Sequence, residues 1–395
     1  MHKIFAMKKL NVNNRVWLAG LLAGLVGLTA CNKDLPKAVP LPTPNPSGSS
    51  IMEILNANAN FSLLRQAVTR AGLTTALSDR TAVYTVFAPD DAAFALSGIN
   101  ATVIGALRPG QLDTLLKYHI VAGQRYNAAS IPDKFPNNYW QSMFVLQAPS
   151  ATLPPGYRMP LFISRRGTNA WANQIPVKAV DAAAANGVIH TVAAVLNPPS
   201  APIWPVVNAD PSFAYLRAAV LRADSGIASS NAASLVGALN NAAANLTVFA
   251  PTNDAFRGTL TAAIAAALIR QGVPPATAQA QAEALASTPD VFQNPALFGV
   301  LTATVVRGIV SYHVLGTRAF GVNLPAGTTN VATIGGAALP QLSVRVTAPL
   351  IEARGPGNIL PGTTTPFWAK VAQGDVHFIN GVVHVVDQVL LPLAL

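Results

Sequence analysis

Four histidines are the residues of this chain best placed to do chemistry, because they recur in two pairs with one spacing. His119 and His190 lie 71 residues apart, and His313 and His384 are separated by the same 71 residues. A single metal ion needs about three or four ligands, whereas each pair supplies two; only the second has a third histidine nearby, His377. Their neighbours are apolar. We therefore expect these histidines to bond backbone groups at strand and helix ends, and we predict no metal and no cofactor.

Nucleophilic and acid–base catalysis find no better support in the sequence. The only cysteine is Cys31, no Gly-x-Ser-x-Gly elbow occurs, and no serine motif recurs beside the histidines. Walker A and dinucleotide-binding glycine patterns do not stand out. Asp181 and Asp375 occupy matching positions, one beside each histidine pair, whereas glycoside hydrolysis needs two acids in one site. We predict that the protein is not an enzyme.

The histidines belong to three blocks that occur twice in the same order, which indicates a duplicated domain. The paired blocks are Tyr84–Phe94 and Leu246–Phe256, Tyr118–Val121 and Tyr312–Leu315, and Asn186–His190 and Asn380–His384.

Each block predicts a structural element that would position its histidine. Thr-Val-Phe-Ala-Pro reads as a short strand that its proline ends. Asn-Gly predicts a turn, and the Val/Ile-rich run after it predicts a strand. Amphipathic helical patterns around Leu64 and Leu216 precede the first block of each copy. Helices first and strands later indicate an α+β domain with a mainly antiparallel sheet.

These blocks, in this order and spacing, resemble the fasciclin (FAS1) family. The resemblance implies two tandem α+β domains, 51–199 and 205–395, each a wedge or sandwich of about seven strands with packed helices. The second would carry an Ala-rich helical insertion near 261–295. The residues that carry the motif are Phe87, Pro89, Asn186, Gly187 and His190 in the first copy, and Phe249, Pro251, Asn380, Gly381 and His384 in the second.

The resemblance also implies a role for the Tyr-His pairs, because this region is linked to adhesion in the fasciclin family. Tyr118, His119, Tyr312 and His313 are therefore candidate partner-binding residues. The alternative is core packing, with the polar tip of each tyrosine bonded to a neighbour. The function implied is adhesion-type binding of an envelope or matrix protein or polysaccharide.

A second function remains open, since some fasciclin-like proteins bind apolar pigments. The chain would then carry a carotenoid or a lipid in a groove lined by Trp140, Phe144, Trp171 or Phe367-Trp368.

The first fifty residues predict export and a lipid anchor. A basic stretch precedes an apolar run that ends in Leu28-Thr29-Ala30-Cys31, which resembles a bacterial lipobox. We predict a signal peptide over 1–30, lipidation of Cys31, and a Pro/Ser-rich tether over 31–50. The expected location is the cell envelope, at the outer membrane.

The charge of the chain argues against nucleic acid as a partner. Removing residues 1–30 lowers the formal net charge from +10 to +6, because Lys3, Lys8, Lys9 and Arg15 are lost. No run of basic residues interleaved with aromatics appears, as a nucleic-acid groove would need. A mild positive charge instead favours acidic polysaccharide or lipid headgroups.

Overall fold

The structure is a computed structural model that describes residues 47–133, 138–146, 156–231, 233–347, 349–360 and 363–394. The predicted signal peptide, Cys31 and most of the predicted tether lie outside these residues. Residues Pro46–Leu395 form one compact unit that holds both repeats. Of the helices in the described ranges, none is long and apolar enough to cross a membrane.

Each repeat begins with helices and ends with strands. In the first repeat the helices are α1 (Ile51–Ala57), α2 (Ser62–Arg70), α3 (Thr74–Ser78), α4 (Asp91–Leu96), α5 (Ala101–Ala106) and α6 (Pro109–Tyr118). Its strands are β1 (Tyr84–Pro89), β2 (Ile120–Ala122), β3 (Asn138–Val145), β4 (Arg158–Arg166), β5 (Asn169–Ala172), β6 (Ile175–Ala184) and β7 (Gly187–Val192).

The second repeat follows the same order with longer helices. Its helices are α7 (Ile203–Ala209), α8 (Ala214–Ala223), α9 (Leu235–Asn240), α10 (Asn253–Arg270), α11 (Pro275–Leu285) and α12 (Ala303–Tyr312). Its strands are β8 (Leu246–Pro251), β9 (Val314–Leu315), β10 (Gly327–Val331), β11 (Leu342–Thr347), β12 (Leu350–Arg354), β13 (Ala369–Phe378) and β14 (Gly381–Val386).

The two sheets share one topology but differ in closure. In each repeat the first strand pairs in parallel with the last, and the other pairs are antiparallel. In the first repeat the strands close into a barrel, because β2 also pairs with β3 through Val121 and Ser142. The second sheet is open, in the order β10-β11-β12-β13-β14-β8-β9. The α+β prediction with about seven strands in each domain is confirmed.

Each repeat buries two apolar layers, one on either side of its central strands. In β1, Val86 faces the helices, whereas Phe87 faces the other strands of the barrel. In β8 the corresponding residues are Val248 and Phe249. All six residues of each strand are buried. The side-chain alternation along a strand thus assigns each motif residue to one layer.

The Ala-rich segment of the second repeat folds as two helices. The helix α10 has 18 residues, begins at the cap Thr252 and ends before Pro274, and α11 follows with Pro275 in its first turn. Both helices bury alanine, for example Ala278 and Ala282, which have no exposed surface. This pair extends the helical layer of the second repeat and adds no strand.

Candidate functional site

The Tyr-His block lies where a helix enters the sheet, and each histidine connects that helix to the end of its domain. His119 follows α6, and its Nδ1 donates to the carbonyl of Leu115 at 2.8 Å. Its Nε2 accepts from the backbone N–H of Leu196 at 2.9 Å. His313 repeats the arrangement with Ile309 (2.8 Å) and Leu390 (2.8 Å).

These contacts fix both histidines as neutral groups. Because Nε2 accepts a hydrogen bond, it carries no proton, and the proton stays on Nδ1. Burial lowers the pKa of His119 and of His313 from 6.5 to about 4. Neither side chain is poised as a general base near neutral pH, and each is a hydrogen-bonded part of the core.

The tyrosines of the same blocks are also buried. Tyr118 and Tyr312 have no exposed surface, and burial raises the pKa of each to about 12. Their hydroxyls donate to the carbonyls of Pro160 (3.3 Å) and Gln341 (3.0 Å). Their placement fits core packing with a bonded polar tip.

None of the four candidate partner-binding residues lies on the surface. His119 and His313 are each 2 % exposed, and both tyrosines are fully covered. A partner that contacts the surface of this structure therefore meets other side chains. Partner binding by the Tyr-His pairs, which the family resemblance implies, stays a prediction.

The second histidine of each pair holds the opposite tautomer. The Nε2 of His190 donates to the carbonyl of Tyr126 at 2.8 Å, and its Nδ1 accepts from the N–H of Asp181 at 3.3 Å. His384 does the same with Ala319 (2.9 Å) and Asp375 (3.3 Å). Burial lowers the pKa of both histidines.

The aspartates beside these histidines lie inside long strands, one in each repeat. Asp181 and Asp375 have positive φ angles of 61° and 60° in β6 and β13, where the register with the last strand shifts. Their carboxylates accept from the N–H groups of Ala128 (2.8 Å) and Gly321 (2.7 Å). Each aspartate thus shapes a β-bulge.

Asn186 and Asn380 connect the last hairpin of each repeat to its first helix. The side-chain oxygen of Asn186 accepts from the N–H of Ile51 at 2.8 Å, and its nitrogen donates to the carbonyl of Leu77 at 2.9 Å. Asn380 makes the equivalent bond to Ile203 at 2.9 Å. These buried amides satisfy backbone groups that would otherwise be unpaired.

The other motif residues set the packing of the central strands. Phe87 and Phe249 are fully buried, and their rings lie 5.4 and 5.5 Å from the rings of His190 and His384. Pro89 and Pro251 are the last residues of β1 and β8. A Cβ on Gly187 would lie 2.0 Å from the carbonyl oxygen of Tyr84, so this close approach of two strands requires glycine.

The two motif histidines of each repeat do not converge on a common binding site. Each ring is held by its own pair of backbone groups. Within the described ranges no group of three or more His, Cys, Asp or Glu side chains could hold a metal ion.

The sequence as a whole decides the family. A family model described as "Fasciclin domain" matches residues 59–198 and 225–392. The chain belongs to the fasciclin family. Fasciclin domains are modules of the cell-adhesion type and are typically extracellular or on the cell surface.

Two known proteins show how this fasciclin chain relates to others. It is 32% identical over 162 residues to the transforming growth factor-beta-induced protein ig-h3 of Sus scrofa, which is 39% of this chain and 20% of that protein. The chain thus spans about a fifth of the length of this relative. A solved FAS1 domain pair from the insect cell adhesion molecule fasciclin I is 18% identical, covering 85% of this chain and 98% of the other, with a TM-score of 0.33.

Sequence reasoning missed a buried arginine between the two fasciclin domains. Arg318, which follows β9, donates from Nη2 to the carbonyl of Ile379 at 2.8 Å, and its Nη1 lies 2.9 Å from Nε2 of His377. Its guanidinium carbon lies 4.5 Å from the ring centroid of Phe162 in the first domain. Phe162 also packs on Phe320, with ring centroids 6.1 Å apart.

Arg318 has a counterpart in the first domain, Arg125. The recurrence of an arginine at this position in both repeats could have revealed it from the sequence. Arg125 donates to the carbonyl of Ala185, just before Asn186, at 3.0 Å, as Arg318 does to the carbonyl before Asn380. Arg125 is exposed, whereas Arg318 is 2 % exposed because the first domain covers it. The two domains therefore use equivalent positions differently.

The aromatic residues considered for a ligand groove lie in different places. Trp140 is buried in the first domain and stacks on Tyr126 with ring centroids 4.0 Å apart. Trp368 lies in the second domain, with the guanidinium carbons of Arg345 and Arg354 at 4.3 and 4.7 Å from its ring. Trp368 is thus covered on the surface by arginines.

A cavity of about 480 Å³ lies elsewhere, between α7, the start of α10 and the strands β13 and β14. Its apolar walls include Val206, Phe213 and Val376, and charged side chains such as Asp254 and Arg257 also line it. In the first domain Lys178 forms an ion pair with Asp90 beside the equivalent strand.

Proposed function

We propose that this fasciclin protein is an adhesion-type, non-enzymatic interaction protein of the cell envelope. Its two domains bind a protein or polysaccharide partner, and a lipid on Cys31 holds the chain at the outer membrane. The mature chain extends from that lipid through the Pro/Ser-rich tether to the pair of domains.

One observation carries this proposal: both copies of the fasciclin motif use their titratable side chains to hold the fold. His119, His190, His313 and His384 each bond two backbone groups, and burial lowers the pKa of each. Groups committed in this way are unsuited to proton transfer near neutral pH. Family membership then supports adhesion as the role of the two domains.

The test of the proposed function is capture of a partner by the full chain. The lipidated protein, purified in detergent, is immobilised and exposed to envelope proteins and envelope polysaccharides of the cell that makes it. Saturable capture that excess soluble chain competes away supports the proposal. Absence of any competed partner in both fractions, with a second lipoprotein as control, contradicts it.

The anchor is tested separately with Cys31→Ala. Without the thiol no diacylglycerol can be attached, so intact-mass measurement of the variant should show no added lipid. Intact-mass measurement of the unaltered protein should show the added lipid. An unaltered protein without added lipid, or a Cys31→Ala protein that carries the same lipid, would rule out this anchor.

The 480 Å³ cavity favours a second function, carriage of an apolar ligand such as a carotenoid or a lipid. The apolar side chains named above would pack against such a ligand, and the volume falls within the range of about 300–1,000 Å³ that small-molecule sites occupy. Ala372 and Thr252 stand where the first domain has Lys178 and Asp90, so the ion pair found there is not possible here.

Extraction of the purified protein tests this function. The full chain should yield a stoichiometric pigment or lipid by absorption and mass spectrometry. Val376→Glu, which places a carboxylate in the cavity, should lose that ligand, whereas Val305→Glu on the exposed face of α12 should keep it. Extracts without ligand would leave adhesion as the function.

A further inference from the structure

A cavity of about 310 Å³ lies between the two fasciclin domains and needs both of them. Strands β3 and β4 of the first domain supply Tyr139, Arg158 and Phe162, and the second domain supplies Asn245 and Arg318. Its volume is near the lower end of the range for small-molecule sites, so it suits one unit of a longer polymer.

The cavity carries positive charge. Two of its lining residues are arginines, and of the described residues that line it none is acidic. Burial lowers the pKa of Arg318 to about 10, so its guanidinium remains a cation at neutral pH. Arg158 is exposed, and its Nη1 donates to the carbonyl of Met143 at 3.4 Å. The exposed guanidinium of Arg158 can therefore form charged hydrogen bonds with a carboxylate.

The cavity also presents an aromatic wall. Tyr139 is 59% exposed, and its ring centroid lies 6.2 Å from that of Phe162. The hydroxyl-bearing ring of Tyr157 lines the same space. Large exposed aromatic rings beside polar groups provide flat apolar surface together with hydrogen-bonding tips.

Asn245 adds a polar group that lacks a protein partner. Its side-chain oxygen is buried and has no hydrogen-bond donor among the residues that the structure describes. A buried acceptor left unpaired costs about 1–3 kcal/mol. The first domain has Val83 at the equivalent position, so the fold itself does not require an amide here.

We propose that this cavity binds a uronic acid unit of an acidic polysaccharide. Such a sugar combines the three features that the cavity complements. Its carboxylate meets Arg158, with the positive charge of Arg318 nearby; a hydroxyl donates to the oxygen of Asn245, and its apolar ring face packs on Tyr139. An acidic peptide would offer a carboxylate and a backbone N–H, but its acidic side chains have no flat ring face to pack on Tyr139. This inference rests on the proposed adhesion function and names the partner for that function.

The experiment is calorimetric titration of the full chain with a galacturonic acid trisaccharide, and with a galactose trisaccharide as the uncharged control. The acidic sugar should bind, and its affinity should fall as salt is raised, because the contacts include charge pairs. The neutral sugar should bind at least about 10-fold more weakly, the loss expected when a charged hydrogen bond is missing.

Three variants locate the site. Arg158→Gln and Tyr139→Ala should each weaken the acidic sugar by about 10-fold. Asn245→Val copies the first domain; it should weaken binding several-fold while the melting temperature stays level or rises, because the unpaired oxygen is removed. Arg108→Gln removes an exposed charge that does not line the cavity and should bind as the unaltered chain does.

Three outcomes overturn the inference: no binding of the acidic trisaccharide, binding unaffected by the three variants, or displacement of the sugar by an acidic peptide at equal concentration. If the full chain still captures an envelope partner in any of these cases, adhesion stands and only this site is wrong. If no envelope partner is captured, adhesion fails whatever the trisaccharide does.

Discussion

At the scale of single residues, the histidines of this protein act as neutral bridges between backbone groups. His119 and His313 each accept from a backbone N–H that lies 77 residues further along the chain. Protonation would place a second N–H against that donor and would charge a buried ring. The stability of both domains should therefore depend on pH.

We expect the free energy of unfolding to fall as pH drops from 6.5 towards 4. The pKa of His119 and of His313 is lowered from 6.5 to about 4 by burial, so between these values the unfolded chain binds more protons than the folded chain. The contribution of each histidine to stability is fully present above pH 6.5. As the pH falls to 4, about 3 kcal/mol is lost for each histidine. Urea unfolding measured from pH 7 to pH 4 checks this.

His119→Gln isolates one histidine from the carboxylates that also titrate in acid. The variant is less stable at pH 7, but its loss of stability between pH 6.5 and pH 4 should be smaller by about 3 kcal/mol. Parallel pH profiles for the two proteins would show that the ring does not titrate as described.

Asn380 should contribute strongly to the stability of the second domain, because its side chain bonds two buried backbone groups. Asn380→Ala leaves the N–H of Ile203 and the carbonyl of Leu239 without their buried partner, at a cost of about 3 kcal/mol. Asn208→Ala, at an exposed position of the same domain, should change the unfolding free energy by less than about 0.5 kcal/mol. Equal effects in chemical denaturation would argue against the bridging role.

The sequence predicted that the histidines bond backbone groups, but it did not predict which residues they bond. That the histidines would bond backbone groups followed from their apolar neighbours and from the shortage of metal ligands. That His119 would bond Leu196, and His190 the carbonyl of Tyr126, could not be predicted, because such contacts depend on the packed sheet. The predicted roles of Tyr118 and Tyr312 came from family resemblance, and the structure buries both.

At the scale of elements, the parallel pairing of first and last strand is the feature that glycine makes possible. Gly381 begins β14 directly against β8, and a Cβ there would lie 2.6 Å from the carbonyl oxygen of Leu246. Below 3 Å the backbone must move, and the parallel pair has no room for movement because it is buried on both faces.

Gly381→Ala should therefore destabilise the second domain by about 3 kcal/mol. Gly258→Ala is the matched control, because Gly258 is exposed within α10 and nothing lies within 4 Å of its added Cβ. That change should stabilise the helix by up to about 1 kcal/mol. Thermal unfolding of the two variants, shifting in opposite directions, is the expected result; a neutral Gly381→Ala would contradict the close approach.

The elements themselves followed from sequence patterns, apart from their irregularities. Thr-Val-Phe-Ala-Pro and Asn-Gly predicted β1, β8 and the final hairpins, and the Ala-rich segment predicted a helical addition. The bulges at Asp181 and Asp375, where φ is positive, were not predicted. Local sequence could not show this, because the bulge is defined by the neighbouring strand.

At the scale of the whole molecule, the two domains meet at a junction that the repeat does not copy. Phe162, Phe320 and Val382 form one apolar cluster across the domains, and the guanidinium of Arg166 donates to the carbonyl of Leu324. The hydroxyls of Tyr118 and Tyr312 bind the equivalent carbonyls of Pro160 and Gln341. Two residues after each carbonyl, the first domain has Phe162 and the second has Ser343. The second domain thus lacks the ring needed to cover a third domain in the same way.

Phe162→Ala should loosen this junction. The substitution removes a buried ring that contacts both Phe320 and Arg318, at a cost of about 3–5 kcal/mol. We expect a larger radius of gyration by small-angle X-ray scattering and faster proteolysis between the domains. Phe298→Ala, a partly exposed ring that contacts Arg222 instead, should leave both unchanged; equal changes in the two variants would contradict a specific junction.

The place of the last strand also governs how the molecule can be made. In each domain the last strand lies between two earlier ones, and 102 residues separate the paired residues Tyr84 and Gly187. A polypeptide that emerges amino terminus first must therefore keep β1 without its parallel neighbour until nearly the entire domain has been synthesised. Completion of the second domain waits in the same way for β14, so each domain stays incomplete, and able to be threaded, until its own last strand has been made.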